Sequence, residues 1–378
     1  MDFGFSEEQE MLRKLAHDFL AKESPIPYSR RMMEDELGYS VEVWRKMAEL
    51  GWMGLVFPQD VGGAGLDMVD FVVVLEEMGR VVMPGPFFST VLLGGQSLLE
   101  GGDEAQKARY LKPLVAGELK ATLAVLEPSA RWDAEGIAAT ATADAGGFLL
   151  NGTKLFAPDA HVADLILVAA RTDTGKGEEG ISLFAMDVPK EGVAVTPFES
   201  MDATRKLCEV KLHQVRVGPD ALVGARGSGW AILQRVTDRA KVALCAEMCG
   251  GAERVLEMSV EYAKMRVQFD RPIGTFQAIQ HKCAHMLALV ESAKAATYHA
   301  AWAVGNDAAR APLAAAMAKA YASDAYRTVT GEAIQIHGGI GFTWEHDLHL
   351  YFKRAKASEF TFGDGTFNRA RVAELIDL

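Results

Sequence analysis

Hydrophobic residues recur at helical spacing from Trp230 to Trp302, and this is the strongest pattern in the chain. The positions that carry it are Val236, Ala240, Leu244 and Met248 in the first half and Ile279, Cys283, Leu287 and Val290 in the second. The segment from Asp270 to Gly274 interrupts the pattern, because Pro272 cannot continue a helix. The sequence therefore predicts two long antiparallel helices joined by a short turn. Thr275 is expected to cap the second helix, and the pair is expected to form the spine of a bundle.

The N-terminal third of the chain is also predicted to be helical. Ser6 followed three residues later by Gln9 is a capping-box pattern that marks the start of a first helix. Helical spacing continues to Leu50, and further helices are predicted over Asp67 to Val81 and Gly101 to Leu114.

The hydrophobic pattern changes near Lys120, where short apolar and β-branched runs separated by turn residues replace the helical spacing. The predicted strands are Thr122 to Leu126, Ile137 to Thr142, Phe148 to Leu150, Leu165 to Ala169, Ile181 to Val188, Val193 to Phe198 and Cys208 to Val217. Seven short strands predict a small antiparallel sandwich or barrel, and the polar segment from Arg171 to Gly180 is expected to be a mobile loop. The fold class is α+β, with an N-terminal α domain (1–118), a middle β domain (119–226) and a C-terminal helical bundle (227–378).

Charge and composition exclude some classes of function. Asp and Glu number 51 against 39 Lys and Arg, which gives a net charge of -12. This balance disfavours binding to nucleic acid or to an anionic membrane surface. The four cysteines do not form a disulfide framework, and no targeting segment or membrane span is evident. The sequence predicts a cytoplasmic protein with free thiols.

Polar and aromatic residues cluster on both sides of the break between the two long helices. Arg266, Gln268 and Phe269 precede the break, and Phe276 and Gln277 follow it. A guanidinium, two amides and two aromatic rings at one end of a helical hairpin suit phosphates and a flat ring system better than a hydrophobic core.

Several motifs together carry a family resemblance. They are Phe5-Ser6-Glu7-Glu8-Gln9, Asp202-Ala203-Thr204-Arg205, Tyr262 to Phe269 with Pro272 to Gln277, and Gln335-Ile336-His337-Gly338-Gly339-Ile340-Gly341-Phe342. With the order of α, β and α segments, this combination resembles the acyl-CoA dehydrogenase family over essentially the whole chain. The resemblance implies an FAD enzyme that removes two hydrogens from an acyl-CoA thioester and passes electrons to an electron-transfer flavoprotein.

The resemblance also implies which residues hold FAD. Arg266, Gln268, Phe269 and Gln277 correspond to positions that bind the pyrophosphate and adenosine side. Gln335, Gly338 and Gly339 correspond to an element that approaches the same dinucleotide from a neighbouring subunit, so at least a dimer is implied. An arginine matches phosphate oxygens with several donors, and glycines let backbone N–H groups come close to phosphate.

The base that removes the α-proton is not where most of the family has it. Ungapped alignment from Gly338 and Gly339 places Phe362 at the usual glutamate, and the alternative position on the first long helix corresponds to Ala240. Glu247 lies two helical turns after Ala240 on nearly the same face, in an unusually apolar setting. It is the predicted base; the alternative is a structural glutamate that reaches solvent or an arginine.

Glu247 also narrows the resemblance to one part of the family. Some bacterial members act on steroid side chains as two-chain heterotetramers, and this chain resembles them at three places. These are the Ala-Glu-x-x-Gly-Gly context of Glu247, the segment Gly341 to Asp347 and the ending Phe362-Gly363-Asp364. This implies a bulky or steroid side-chain CoA thioester as substrate, and a homotetramer or an α2β2 heterotetramer with a second dehydrogenase-like chain.

The side that would hold the flavin ring departs from the family pattern. Leu126, Trp132 and Pro158 stand where three hydroxyl-bearing residues are usual, and proline also removes a backbone donor. A partner chain that supplies the flavin-ring site would explain this departure, and a homo-oligomer with altered flavin contacts is the alternative.

Two other functions stay open from sequence: a non-catalytic partner subunit of a heterotetramer, and a flavin monooxygenase or oxidase of the same fold. No metal site is predicted, since His281 and His285 lack a third ligand group. His337 could approach the dinucleotide or serve as a turn residue, and His346 and His349 are expected to face water. Lys264, Lys353, Arg354 and Lys356 are expected on a solvated face, with CoA phosphates as the alternative contact.

Overall fold

The computed structural model describes residues 5–175 and 177–378, which form two compact units. The first unit comprises the described residues up to Arg31, Asp67–Met83 and Lys241–Leu378. The second comprises Met32–Leu66 and Pro84–Ala240. Among the described residues, no helix is both long enough and apolar enough to cross a membrane.

α-Helices make up most of the first unit and part of the second, where the π-helix Phe88–Gly95 precedes the α-helix Gln96–Gly101. They are α1 (Glu7–Glu23), α2 (Ile26–Glu34), α3 (Val41–Glu49), α4 (Met68–Arg80), α5 (Gln96–Gly101), α6 (Glu104–Gln106), α7 (Lys112–Val115), α8 (Gly229–Met265), α9 (Gln277–Asn306), α10 (Ala311–His337), α11 (Leu348–Phe360) and α12 (Gly365–Leu375). The predicted capping box at the start of α1 is confirmed, because the Gln9 N–H donates to the Ser6 hydroxyl and the Ser6 N–H donates to the Gln9 side chain.

The two long helices α8 and α9 run antiparallel, as predicted. Lys294 on α9 donates to Glu253 on α8 at 2.5 Å, and Thr297 lies 3.5 Å from the Cys249 thiol one turn earlier on α8. The prediction that Thr275 caps α9 is wrong. Phe276 occupies the cap position, and the Thr275 hydroxyl instead donates to the Pro272 carbonyl inside the turn.

Helices α4 and α8 touch backbone to backbone within the first unit. A Cβ added at Gly79 would lie 2.0 Å from the Glu247 carbonyl oxygen, and one at Gly250 would lie 1.8 Å from the Glu76 carbonyl oxygen. Only glycine permits so close a crossing. The backbone of Glu247 is therefore fixed against α4.

The second unit contains an eight-stranded sheet. Its strands are β1 (Ala121–Ala124), β2 (Thr140–Asp144), β3 (Gly147–Pro158), β4 (Leu165–Arg171), β5 (Ile181–Asp187), β6 (Val193–Pro197), β7 (Leu207–Val217) and β8 (Leu222–Val223). The order is β6-β7-β3-β2-β4-β5-β8, and β1 pairs with β4. The α+β class is confirmed, but the sheet is mixed rather than antiparallel, because β4 pairs in parallel with both β1 and β2.

The segment predicted as a mobile loop begins at the last residue of β4. The Arg171 guanidinium donates to four carbonyl groups, those of Ala134, Ile137, Gly175 and Gly177. Lys176 lies outside the described residues, and the mobility of the loop stays a prediction.

Candidate active site

The sequence-predicted dinucleotide residues after α8 lie together on an exposed hairpin. Strands β9 (Val267–Gln268) and β10 (Arg271–Pro272) pair in antiparallel register, and the chain turns through Phe269 and Asp270, both at positive φ. Phe269 is 85% exposed, and Arg266, Gln268 and Gln277 are also exposed. Phe269 meets Phe276 edge to face at 6.0 Å, so the rings and polar groups are presented on one surface.

The second predicted group lies where α10 ends. Gln335 is exposed, and Gly338 adopts φ 63°, a conformation that favours glycine. A Cβ added at Gly338 or Gly339 would meet nothing within 4 Å, so a ligand could approach the backbone there. Beside them, His337 stacks on Tyr262 with ring centroids 4.3 Å apart, which joins the end of α10 to the last turn of α8.

The histidines near this turn are more enclosed than the sequence suggested. His337 is buried, and its Nδ1 lies 2.8 Å from the Ala333 carbonyl oxygen. Burial lowers the pKa of His337. His346 and His349 are half-buried rather than fully in water, and the His346 ring meets His337 edge to face at 4.8 Å. His337 is therefore part of the packing that supports the Gly338–Gly339 turn.

Glu247 is buried on α8, in line with its apolar sequence context. Its side chain is 7% exposed, and Oε2 lies 3.9 Å from Nη1 of Arg354. Neighbouring thiols Cys245 and Cys249 are buried as well. This carboxylate thus sits deep in the first unit beside a buried cation.

Arg354 was expected on a solvated face, and that expectation is wrong. The side chain is 4% exposed, and Nη2 lies 3.4 Å from the Met83 carbonyl oxygen. A signal was present in the sequence: Arg354 falls at helical spacing with Tyr351 and Ser358, both buried positions of α11. An arginine within an otherwise buried stripe indicates a buried partner.

Phe362, at the position where the family usually has its base, lies in a rigidly held loop. It is buried at positive φ, followed by Gly363 at φ 87°. Fully buried Lys319 donates to the Gly363 carbonyl, and fully buried Asn368 donates to the carbonyls of Phe362 and Gly363. The loop is ordered by polar side chains even though it offers no carboxylate at 362.

A second buried ion pair, missed from sequence, organises the loop that carries Leu126. Lys154 Nζ on β3 lies 2.6 Å from Glu127 Oε1, and it also donates to the Val125 carbonyl. The Glu127 carboxylate further accepts from the backbone N–H groups of Ala138 and Ala139. Alternation along β3 places Lys154 on its buried face, which was the available signal.

A bulge in β3 presents an aromatic ring beside the same loop. Its pairing with β7 shifts between Lys154 and Ala157, and Phe156 within the bulge has φ 55°. Phe156 is 48% exposed and lies 5.4 Å from Phe198. Bulges and positive φ at a non-glycine residue concentrate at functional sites.

One further buried acid was not singled out from sequence. Glu76 on α4 accepts a hydrogen bond from the Tyr298 hydroxyl at 2.6 Å and one from Arg13 at 3.1 Å. Burial raises the pKa of Glu76 to about 7, although Lys294, Tyr298 and Arg13 oppose the shift.

The exposed residues suit the polar part of a flavin dinucleotide. Arg266 offers a guanidinium, Gln268 and Gln277 offer amides, and the open Gly338–Gly339 turn leaves room for phosphate oxygens. At the position usually given to a hydroxyl, Pro158 supplies only a carbonyl, which accepts from Thr122. The exposed donor set of the first unit therefore fits the diphosphate end of the dinucleotide.

Comparison with known proteins accounts for the whole length of the chain. Three family models match: the acyl-CoA dehydrogenase N-terminal domain over residues 6–118, the middle domain over 122–215 and the C-terminal domain over 227–376. The chain is 34% identical to a 3-(aryl)acrylate reductase of Clostridium sporogenes, over 92% of this chain and 93% of that protein. It is 33% identical to the caffeyl-CoA reductase-Etf complex subunit CarC of Acetobacterium woodii, over 96% of each. It is 34% identical to the acyl-CoA dehydrogenase IpdE2 of Mycolicibacterium smegmatis, over 95% of each.

Solved structures agree in fold over the full chain. Butyryl-CoA dehydrogenase from Megasphaera elsdenii superposes with a TM-score of 0.93 at 30% identity and covers 100% of both chains. A chain of the ChsE4-ChsE5 complex from Mycobacterium tuberculosis gives 0.90 at 27%, covering 100% of this chain and 99% of that one. The chain therefore belongs to the acyl-CoA dehydrogenase family, FAD-dependent oxidoreductases that act on the CH–CH group of acyl-CoA thioesters.

Proposed function

We propose that this chain carries out α,β-dehydrogenation of a bulky or steroid side-chain acyl-CoA thioester, with Glu247 as the base. One observation carries the proposal: α8 bears a buried carboxylate at Glu247 and ends, within the same unit, in the exposed Arg266 hairpin. Bound FAD supplies the acceptor for the hydride that leaves the β-carbon. Glu247 accepts the α-proton as the α C–H bond breaks, and the electrons of that bond form the new double bond.

The cofactor residues follow from the same unit. Arg266, Gln268, Phe269 and Gln277 would hold the pyrophosphate and adenosine side, and Gln335, Gly338 and Gly339 would reach a dinucleotide shared with a second subunit. The side chains of Arg266, Gln268, Gln277 and Gln335 are exposed, and Phe269 is 85% exposed. This exposure supports a role in contact with a ligand or a partner.

Similar proteins support a proposal for the electron acceptor and one for the subunit assembly. CarC belongs to a reductase-Etf complex. A chain in a solved structure described as the electron transferring flavoprotein of Acidaminococcus fermentans is similar to this one, with a TM-score of 0.92 at 31% identity. We therefore propose an electron-transfer flavoprotein as the electron acceptor. The ChsE4-ChsE5 complex supports assembly with a second, different chain. We therefore propose an α2β2 heterotetramer, with the homotetramer as the alternative.

Two alternatives have an observation in their favour. Leu126 and Pro158 favour a non-catalytic partner subunit, because the flavin-ring side lacks the usual hydroxyls. Phe362 favours an oxidase of the same fold, and the prolyl acyl carrier protein oxidase AnaB resembles this chain with a TM-score of 0.92 at 29% identity. The domain ranges 1–118, 119–226 and 227–378 and the cytoplasmic location stay predictions.

The test starts from the chain expressed alone. A visible spectrum and a native mass report flavin content and subunit number. Under anaerobic conditions the protein is then mixed with butyryl-CoA, octanoyl-CoA, 3-phenylpropionyl-CoA and a 3-oxosteroid side-chain CoA thioester, and bleaching of the flavin band is followed.

Faster bleaching by the two bulky thioesters than by butyryl-CoA is the expected result. Fastest bleaching by butyryl-CoA would contradict the bulky substrate, and bleaching by none would contradict the dehydrogenase. A colourless product would direct the same assay to a complex with a partner chain.

A further inference from the structure

Two buried, oppositely charged side chains from distant parts of the sequence meet inside the first unit. Glu247 lies on α8 and Arg354 on α11, with 3.9 Å between Oε2 and Nη1. This distance is longer than a hydrogen bond, so the arginine acts on Glu247 through its charge.

The arginine itself is firmly placed. Nη2 of Arg354 lies 3.4 Å from the Met83 carbonyl oxygen, and Tyr351, one turn earlier on α11, donates to the Arg80 carbonyl at 2.5 Å. Both acceptors belong to the end of α4 and the residues just after it. On the other side, the Glu247 backbone touches Gly79 of α4. The chain around Gly79 to Met83 thus fixes both members of the pair.

We propose that Arg354 is a positioning residue that holds Glu247 as a charged proton acceptor, an inference that rests on the proposed role of Glu247 as the base. Burial disfavours the charged form of a carboxylate, and a nearby cation favours it. Only the charged form can take up the α-proton. Arg354 therefore supplies the charge that keeps the buried acid competent, while its contact with Met83 keeps that charge at a fixed distance.

The competing interpretation is an ion pair that only stabilises the fold. A stabilising pair changes the free energy of unfolding when it is broken, because a buried charge loses its partner. It does not change turnover per folded enzyme. Turnover measured beside stability therefore separates the two roles.

Three variants of the full chain with bound flavin isolate the charge. R354Q keeps a donor but removes the charge, R354K keeps the charge, and Y351F removes the other anchor of α11 without touching Glu247. Each is assayed for thermal unfolding and for kcat and KM with the CoA probe that bleaches wild type fastest. Deuterium uptake at the α-carbon of that probe from D2O is measured by mass spectrometry.

We expect R354Q to lower kcat and the rate of deuterium uptake about 100-fold while KM changes little, since a misplaced base costs rate rather than binding. R354K should recover part of that loss. Y351F should destabilise the protein but lower kcat far less than R354Q, because the contact of Arg354 with Met83 and its charge both remain.

An R354Q enzyme with wild-type kcat and uptake would overturn the inference. The same holds if R354Q loses stability but keeps wild-type turnover per folded enzyme, because the arginine would then serve stability alone. The proposed function fails separately: if Glu247→Gln keeps deuterium uptake, or if wild type bleaches with none of the probes, Glu247 is not the base and Arg354 has nothing to position.

Discussion

Each unit of the molecule contains a buried pair of opposite charges, and the two pairs differ in the distance between their charged atoms. In the second unit, Lys154 lies 2.6 Å from Glu127, whose oxygens also accept two backbone N–H groups. In the first unit, Arg354 stands 3.9 Å from Glu247. The hydrogen bonds of the Lys154–Glu127 pair fix a loop. The Glu247–Arg354 pair, in contrast, is proposed to place a proton acceptor.

The electrostatics of the tighter pair agree with a structural role. Burial lowers the pKa of Lys154 to about 8, and the Glu127 carboxylate opposes this shift. A lysine so buried is stable only while its acidic partner stays in place. The pair thus fixes the conformation of the Leu126 loop, even though Leu126 and Pro158 replace the hydroxyl-bearing residues that are usual in the family.

The largest effect is expected at the pair formed by Glu247 and Arg354. Glu247→Gln should lower flavin reduction by the best CoA probe about 1,000-fold, because an amide cannot accept the α-proton. Native mass should stay that of wild type, and the rate is expressed per folded enzyme so that the loss of stability expected from an unpaired Arg354 does not enter it. Anaerobic stopped-flow spectroscopy measures the rate, and Asp238→Asn on the same helix is the matched control. Unchanged reduction would show that Glu247 is not the base, and unchanged activity of a complex with a second chain would favour the non-catalytic partner role.

Breaking the pair formed by Lys154 and Glu127 should lower stability rather than the rate of flavin reduction. Lys154→Met leaves Glu127 buried without its cation and should lower the free energy of unfolding by about 3 to 5 kcal/mol. Replacing both partners, as in K154M with E127L, should recover part of the loss. Lys14→Met, at the exposed pair with Asp18, should have almost no effect. Urea unfolding measures all three; a K154M protein as stable as wild type would contradict the contrast between the pairs.

A further buried acid, Glu76, is expected to make the stability of the protein depend on pH. Glu76 has a pKa of about 7 in the fold, above its ordinary value of 4.5, so the folded protein binds an extra proton between these pH values. Its contribution to stability is fully present below pH 4.5 and is lost as the pH rises through 7. The stability of wild type relative to Glu76→Gln should therefore decline by about 3 kcal/mol across that window. Urea unfolding at several pH values measures it, and a flat difference would show that Glu76 is charged in the fold.

The smallest effect is expected at the start of α1, where the polar contacts are exposed. Ser6→Ala removes one half of the capping box and should cost about 1 kcal/mol. Ser6→Thr keeps the hydroxyl and is the control. Differential scanning calorimetry of both variants measures the change; equal losses would show that the hydroxyl contributes nothing.

Local pattern was enough to predict most elements but not how they pair. The run predicted as Ile181 to Val188 is β5 at Ile181–Asp187, and the helix predicted from Asp67 is α4 with Asp67 as its cap. The parallel pairing of β1 with β4 was missed, because partners more than forty residues apart leave no local signal. Thr275 failed as a cap because its hydroxyl found an acceptor inside the turn.

The candidate site likewise has features that the sequence predicted and features that only the tertiary structure decided. By itself, the sequence determined the long helices, the polar and aromatic residues at the Arg266 hairpin and the apolar setting of Glu247. Each of these follows from neighbours along the chain. Only the tertiary structure decided that Arg354 is buried against Glu247 and that Lys154 reaches Glu127. These contacts join residues far apart in sequence, and a charged side chain at a buried position looks like a surface residue until its partner is known.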